Sequence, residues 1–199
     1  MKRIVVAVTG ASGAIYAVRL LKACGELGIA VDLVASAYGQ RLLIEECGLN
    51  LKADGLGEWL DRAYGAAPRP GAVRIHRELD LGSEIASGSA HWDGMAVIPC
   101  SMKTLSGIAH GSASNLIERC ADVTLKERRT LVIVPRETPF NLIHIENLRA
   151  AALAGAVVVP AMPAFYFGPK TFEDLADFVA GRVLAVLGIE HHLFTPWTG

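Results

Sequence analysis

Apolar positions along the chain follow two patterns, one typical of a buried strand and one typical of a helix. The two patterns alternate several times. Residues 4–8 are a short run of β-branched and apolar side chains, which predicts a buried strand. From Ile15 to Leu27 the apolar positions recur three or four residues apart, which is typical of a helix packed on one face. Between them lies Thr9-Gly10-Ala11-Ser12-Gly13, in which we expect Ser12 to cap the helix. The segment therefore predicts a strand, a tight turn and a helix.

The same change of period predicts further strand and helix units downstream. Repeated about five times, such units imply right-handed crossovers and a mostly parallel sheet with helices on both faces. We therefore predict one α/β domain over residues 1–199, with three α/β/α layers of Rossmann-like type. The other expected strands are 30–35, 94–98, 130–135 and 156–160, and the other expected helices are 38–47, a short 58–63, one starting near 100, 114–127, 141–154 and 171–187.

Two regions fit this pattern less clearly. Residues 50–71 scatter Gly, Pro and Ala around the short helix, and we interpret them as a surface excursion. The isolated side chains of His76, His91 and Trp92 are assigned no role, because such residues are more often packed or exposed than ligands.

The last helix carries a possible buried charge. Its inward stripe is expected at Phe172, Leu175, Val179 and Val186, and Arg182 falls on the same stripe. A desolvated cation needs a carboxylate, a ligand anion or a subunit boundary as its partner. The alternative is that its long side chain reaches water.

Composition narrows the class of protein. With 199 residues, 52% of them hydrophobic, the chain can bury a sizeable core. A net charge of -1 gives no general attraction to nucleic acid or to a membrane, and we expect neither as a partner. The start of the chain lacks the pattern of a signal peptide, so we expect the cytosol. Its four cysteines, Cys24, Cys47, Cys100 and Cys120, form no C-x-x-C pair, which predicts reduced thiols.

Two turns after strands suit an anion. Residues 10–13 and 101–104 place glycine or hydroxyl groups at expected helix starts, where free N–H groups favour negative charge. Ordinary turns and N-caps are the structural alternative. A dinucleotide site would need G-x-G-x-x-G and an acid at the end of the second strand, whereas the turn is only G-A-S-G and Asp32 falls too early. A phosphate monoester such as FMN fits better.

The segment Pro135-Arg136-Glu137-Thr138-Pro139 places a cation and an acid side by side between two prolines. Prolines stiffen the loop that presents such a pair. A functional pair and a plain surface ion pair both remain open.

In this order, residues 9–13, 99–104 and 135–139 and the segment from Tyr166 to Arg182 closely resemble those of the UbiX-like flavin prenyltransferases, nearly from end to end. The resemblance implies a flavodoxin-like fold and a homododecamer with sites shared between subunits. It also implies transfer of a dimethylallyl group from its monophosphate to N5 and C6 of reduced FMN. Prenylated FMN, the product, would serve a UbiD-type decarboxylase.

The resemblance also implies roles for individual residues, although nothing transfers to 50–94. Glu46 and Glu137 match acid and base carboxylates, and Ser12 is included with them as catalytic. The FMN contacts would be Gly10, Ala11, Ser12, Ser36, Ser101, Met102, Lys103, Thr104 and Arg136, and the prenyl-phosphate site would include Arg119, Lys126, Tyr166, Arg182 and Trp197.

Two other functions are kept as alternatives. Flavin-dependent decarboxylases acting on a cysteine peptide or on phosphopantothenoylcysteine share the first turn, but use a Pro-x-Ser-Ala-Asn type loop and a catalytic His where this chain reads Pro99-Cys-Ser-Met-Lys-Thr. A non-catalytic FMN carrier would not need a second phosphate site. No aspartate cluster suited to Mg²⁺ occurs, so we expect activity without a metal and a preference for the monophosphate.

Overall fold

One six-stranded parallel sheet organises the computed structural model, which describes residues 2–65 and 73–197. The strands are β1 (Arg3–Val8), β2 (Ala30–Ala35), β3 (Val73–His76), β4 (Gly94–Cys100), β5 (Thr130–Pro135) and β6 (Val157–Val158). Their order is β3-β2-β1-β4-β5-β6, and every neighbouring pair is parallel. The chain builds outward from β1 in one direction and then from β4 in the other, so β1 and β4 flank a topological switch point.

Helices cover both faces of this sheet. They are α1 (Ala14–Glu26), α2 (Ala37–Cys47), α3 (Leu56–Tyr64), α4 (Met102–Ala109), α5 (Leu116–Lys126), α6 (Leu142–Leu153) and α7 (Phe172–Val186), with a 3₁₀ turn at Glu84–Ala86. Along β1, Ile4, Val6 and Val8 enter one core with α1, α3 and α7, while Val5 and Ala7 enter a second core with α4 and α5. The predicted three-layer α/β/α fold is therefore confirmed.

Most predicted elements are present, with small shifts at their ends. The predicted bounds of β2 and β5 match the structure. β4 runs past Pro99 to Cys100, which pairs with Pro135 after a shift in register. The helix predicted from residue 114 begins at Leu116, because Asn115 is its cap and accepts a hydrogen bond from the Glu118 amide.

The interpretation of residues 50–65 as a surface excursion was wrong. α3 is longer than the predicted 58–63 and buries Leu56, Trp59 and Leu60 in the first core. The indole Nε1 of Trp59 donates to the Gly48 carbonyl at 3.1 Å. Residues 66–71 of that prediction lie outside the described residues.

The region after it also has more structure than its pattern suggested. β3 was not predicted, because it is a short edge strand with only half-buried or exposed side chains. Its His76 bonds the carboxylate of the buried Asp32, with Nε2 and Oδ1 2.8 Å apart. Trp92 is fully buried in the second core.

The predicted inward stripe of α7 was wrong at Phe172, which is 81% exposed, and right at Val179, which is buried. The other buried residues of the helix include the small Ala176, Ala180 and Gly181, with Val183 and Leu184. Small side chains let α7 pack closely on α1, so the size of the apolar residues misled the prediction. Arg182 consequently lies on the exposed face rather than on a buried stripe. None of the described helices is long and apolar enough to span a bilayer.

Candidate active site

A pocket of about 490 Å³ opens at the carboxyl ends of β1, β2 and β4. It lies at the switch point, where open parallel sheets place their ligands, and its size suits a small cofactor. The starts of α2, α4 and α5 border it. Its lining residues are Gly10, Ser36, Ala37, Tyr38, Glu78, Ser101, Lys103, Thr104, Asn115, Ile117 and Glu118. We call it the flavin pocket below, after the ligand expected from the sequence.

The turn after β1 requires a glycine where it approaches α2. A Cβ added at Gly10 would lie 2.6 Å from the Cβ of Tyr38, closer than real Cβ contacts. This close approach brings the first turn against the start of α2, whose cap is Ser36. The Ser36 side chain accepts from the Gly39 amide at 3.0 Å, as predicted for a helix beginning there.

The buried Thr9 ties the first turn to the second. Its hydroxyl donates to the Pro99 carbonyl at 2.8 Å and accepts from the Ser101 amide at 2.8 Å. Ser101 in turn caps α4 by accepting from the Thr104 amide at 3.3 Å. The two turns predicted to bind an anion are therefore fixed to each other before any ligand enters.

The predicted Ser12 cap of α1 was wrong. Gly13 is the N-cap residue, with φ 109, and makes no side-chain cap bond. The carboxylate of Glu46, near the far end of α2, accepts from the amides of Gly13 and Ala14, each at 2.8 Å. An acidic side chain thus occupies the position that favours an anion at the start of α1. The starts of α2, α4 and α5 face the flavin pocket instead.

Glu46 is held as a carboxylate. Burial alone raises the pKa of Glu46, but the Ser12 hydroxyl, the Ala14 and Gly13 amides and the Arg136 charge outweigh it, and the pKa lies below its ordinary value. At neutral pH this group is therefore equipped to accept a proton rather than to donate one.

Arg136 follows the end of β5 and lies close to Gly13 at the start of α1. Its Cγ would lie 4.0 Å from a Cβ on Gly13, and its Nε is buried without a hydrogen-bond partner among the described residues. An unsatisfied guanidinium N–H beside a pocket fits an acceptor such as a phosphate or a flavin carbonyl. The hydroxyls of Ser36, Ser101 and Thr104 add further polar groups. These residues fit FMN.

The neighbouring Glu137 is half-buried and its Oε1 accepts from the Thr138 amide at 2.9 Å. No ion pair joins Glu137 to Arg136 among the described side chains, so the simple surface pair considered from the sequence does not form.

The five residues expected to hold the prenyl phosphate are not brought together on one chain. Lys126 ends α5 and pairs with Glu127 beside Gly88. Ile117, nine residues earlier on that helix, lines the flavin pocket, so Lys126 lies about 14 Å further along the axis. Arg119 lies between them and bonds the Ala86 carbonyl at 3.1 Å and Asp122 at 2.8 Å.

The other three gather around α7. The rings of Tyr166 and Trp197 meet edge to face with centroids 5.5 Å apart. Arg182 borders a cavity of about 320 Å³ together with Met162 and Phe178. Tyr166, Arg182 and Trp197 are called the α7 surface below. It lies beside β6 and α7, whereas the flavin pocket lies at β1, β2 and β4.

Sequence reasoning missed three polar residues of the flavin pocket. Glu118 is 4% exposed and accepts from the Ser114 amide at 2.9 Å, the Ser114 hydroxyl at 2.6 Å and Asn115 Nδ2 at 3.0 Å. Asn115 followed three residues later by Glu118 resembles a capping box, and that spacing was an available signal. Glu78 accepts from the Ala37 amide at 2.9 Å, but it comes from the irregular region and had no sequence signal.

The described thiols are free and unreactive. Burial raises the pKa of Cys24 to about 12 and that of Cys120 to about 12, and it raises the pKa of Cys47 to about 11. Burial also raises the pKa of Cys100. A thiol that stays protonated is a poor nucleophile and metal ligand. Within residues 2–65 and 73–197 no three His, Cys, Asp or Glu side chains are grouped so that they could hold a metal ion.

Comparison with known proteins defines the class first. The profile of the Flavoprotein family matches residues 1–184, so the chain belongs to that family. Flavin prenyltransferase UbiX of Halalkalibacterium halodurans is 50% identical over 192 residues, which cover 96% of this chain and 91% of that protein. Within the flavoproteins the chain therefore belongs to the flavin prenyltransferase family, as the sequence motifs indicated.

Two solved structures carry the same fold over almost their whole length. A crystal structure of AnUbiX in complex with FMN and dimethylallyl pyrophosphate has a TM-score of 0.86 at 38% identity and covers 100% of this chain and 98% of that one. A dodecameric FMN-dependent UbiX-like decarboxylase from Escherichia coli has a TM-score of 0.86 at 40% identity, with 99% of each chain covered.

Proposed function

We propose that this member of the flavin prenyltransferase family joins a dimethylallyl group to N5 and C6 of reduced FMN. The product, prenylated FMN, then passes to a UbiD-type decarboxylase. One observation carries the proposal for this chain: a pocket at the switch point is lined by hydroxyls, and the buried Nε of Arg136 has no hydrogen-bond partner among the described residues. The Arg136 amide donates to the carbonyl of Cys100, next to the pocket residue Ser101. The near-neutral charge fits an enzyme that works in the cytosol without nucleic-acid or membrane partners.

FMN binds in the flavin pocket without a covalent link. We propose that Gly10, Ala11 and Ser12 approach it from the first turn, Ser36 from the start of α2, Ser101 to Thr104 from the start of α4, and Arg136 from the end of β5. Reduced FMN supplies the nucleophilic atoms of the reaction. Denaturing the FMN-loaded protein should release all the flavin, and flavin that stays with the precipitated chain would contradict this.

The chain's own residues then stabilise charge and move protons. Lys126, Arg119, Arg182 and the Tyr166 hydroxyl neutralise the departing phosphate, and the Trp197 ring steadies positive charge on the allylic carbon. Glu137 delivers a proton to the phosphate, while the ionised Glu46, bonded to the Gly13 and Ala14 amides, takes up the proton released later.

We propose a homododecamer in which neighbouring subunits complete the site. The separation of Lys126 from the α7 surface on one chain supports this proposal. So does α6, on which Leu142, Ile143 and Leu153 are each at least 70% exposed. Apolar area of this kind is normally covered by another chain. Light scattering should give a single large oligomer, and a monomer with full activity would contradict the proposal.

The donor is the monophosphate, and no metal takes part. Cationic and hydroxyl donors neutralise a phosphate dianion directly. The AnUbiX complex holds the pyrophosphate, so both donors must be compared. Turnover with each should be measured in excess EDTA and again with added Mg²⁺. Equal activity with EDTA and a higher kcat/KM for the monophosphate are expected. Activity that needs Mg²⁺ would overturn the metal-free site.

The decisive experiment is mass spectrometry of the flavin after anaerobic incubation with reduced FMN and dimethylallyl monophosphate. A gain of one C5 unit is expected, with oxidised FMN as the matched control. An unchanged flavin together with turnover of a cysteine peptide would support the decarboxylase alternative instead. Tight FMN binding with neither reaction would support a carrier.

A further inference from the structure

The C-terminal segment 189–197 folds back onto α7. Ile189 is 8% exposed, and Leu193 packs against the first core. The Leu193 amide donates to Nδ1 of His191 at 3.3 Å. Burial lowers the pKa of His191, so the ring stays neutral and keeps this nitrogen free to accept. The segment is therefore held by packing and by its own local bond.

Gly181 provides the surface on which this segment rests. A Cβ built at Gly181 would lie 2.6 Å from Cε1 of Phe194 and 2.7 Å from Cε1 of His191. Such distances are shorter than packed atoms tolerate, so any side chain here would push both rings away. The three nearest atoms all belong to the tail and none to α1 or the sheet. A glycine in the interior of α7 is thus required by the tail, although glycine weakens a helix.

A run of aromatic contacts connects Phe194 to the α7 surface. Phe194 packs on Phe178 with centroids 4.7 Å apart, Phe178 meets Tyr166 at 6.1 Å, and Tyr166 meets Trp197 at 5.5 Å. Trp197 itself is 70% exposed, so burial does not fix it. Its place depends on the Tyr166 contact and on the anchoring of Phe194 three residues earlier.

We propose that Gly181 and Phe194 form a seat that positions Trp197 against Tyr166 for the prenyl donor. Gly181 is a positioning residue, since it touches neither FMN nor the donor and acts through the tail. The inference rests on the proposed function, in which Tyr166 and Trp197 contact the donor. The packing of Phe194 against Gly181 is a structural feature, so it can be tested without measuring turnover.

The test compares Gly181→Ala, Phe194→Ala and the double variant in the full-length protein loaded with FMN. Two readouts are used. The first is hydrogen exchange of the Leu193 amide, and the second is the KM for dimethylallyl monophosphate compared with the Kd for FMN. We expect both single variants to speed exchange and to raise the donor KM by about 10-fold to 100-fold, as misplaced contacts do, with the FMN Kd unchanged. The double variant should lose less than the sum of the two single variants, because the clash with Phe194 has gone and only the clash with His191 remains.

Gly82→Ala is the matched control, because its nearest neighbour would lie 3.4 Å from the new Cβ. A plain glycine-to-alanine change in a helix stabilises it, so a higher melting temperature of Gly181→Ala with unchanged Leu193 exchange would overturn the seat. Faster exchange with an unchanged donor KM would overturn the positioning role. If the wild-type enzyme transfers no prenyl group, the proposed function fails while the exchange data still decide the seat.

Discussion

The flavin pocket and the α7 surface differ in how their polar groups are satisfied. In and around the flavin pocket, Thr9 bonds Ser101 and Pro99, and Glu118 accepts three hydrogen bonds. On the α7 surface, Arg182 makes no ion pair with any described residue, and Trp197 is 70% exposed. Apart from the Arg136 Nε, which has no partner among the described residues, the polar groups named in the first region are bonded within the chain, while Arg182 on the α7 surface makes no such ion pair.

This difference bears on the proposed binding of the two substrates. Groups already fixed by internal bonds lose little freedom when a ligand arrives, so we expect the flavin pocket to need little rearrangement for FMN. We expect the charged and aromatic groups of the α7 surface to gain their partners from the donor or from a second subunit. The two regions should therefore respond separately to substitution.

The largest effect is expected for Glu137→Gln. The change keeps the shape and the acceptor for the Thr138 amide but removes the exchangeable proton. Because general acid catalysis is worth about 10²-fold to 10⁴-fold, we expect kcat to fall by that range. FMN affinity, measured by fluorescence quenching, should not change.

The control for Glu137→Gln is Glu58→Gln, an exposed acid in the first turn of α3. If Glu137→Gln turns over at the wild-type rate, Glu137 has only a structural role.

Arg182→Ala is expected to separate the two regions. Loss of a charge-assisted bond to phosphate costs about 2–3 kcal/mol, so the donor KM should rise by roughly 30-fold to 150-fold. The FMN Kd should stay as in the wild type, since Arg182 does not line the flavin pocket. Steady-state kinetics at saturating FMN measures the donor KM, and titration measures the FMN Kd. Arg62→Ala, an exposed arginine on α3, is the matched control. A matching loss of FMN affinity would show that the regions are not independent.

Lys103→Ala should change FMN binding rather than the donor KM, and its effect should be smaller than that of Arg182→Ala. Lys103 lines the flavin pocket from an exposed position, where water screens its charge. We expect the FMN Kd to rise by about 10-fold, the equivalent of roughly 1.4 kcal/mol, with little change in the donor KM. Lys22→Ala on α1, where the lysine pairs only with Glu26, is the control. A changed donor KM with an unchanged FMN Kd would place Lys103 in the other region.

Sequence alone predicted the fold and the flavin pocket better than the α7 surface. Strands such as β2 and β5 are continuous apolar runs between turn residues, so the local signal and the tertiary structure agree. Ser36 and Ser101 were predicted as helix starts because caps are local.

The errors arose where distant residues decide the structure. No local pattern shows that Glu46, 33 residues away, replaces Ser12 at the start of α1. β3 was missed because an edge strand needs little burial, and Phe172 was placed inward because large apolar residues were given more weight than small ones. Lys126 and Arg182 are apart on one chain, and the contact that we propose between subunits is not encoded in a single-chain pattern.

The smallest effect concerns Glu46, which joins the first turn to α2. Since the folded state lowers the pKa of Glu46 below its ordinary value of 4.5, the ionised carboxylate stabilises the fold above that pH, and the contribution is lost as the pH falls through the lowered value. The side chain is exposed, so solvent limits the contribution to less than about 1 kcal/mol.

Glu46→Gln should therefore lower the free energy of unfolding slightly at pH 7, and the difference from the wild type should shrink as the pH falls below 4.5. Urea unfolding of the FMN-free protein at one fixed protein concentration measures this, because subunit association also shifts stability. The control is Glu45→Gln, whose carboxylate bonds only the exposed Arg41 at 2.7 Å on the same helix. If Glu46→Gln loses no more stability at pH 7 than Glu45→Gln, the two amide bonds at the start of α1 contribute nothing measurable. Glu46 would then matter for proton transfer alone, and the first turn would be held chiefly by Thr9.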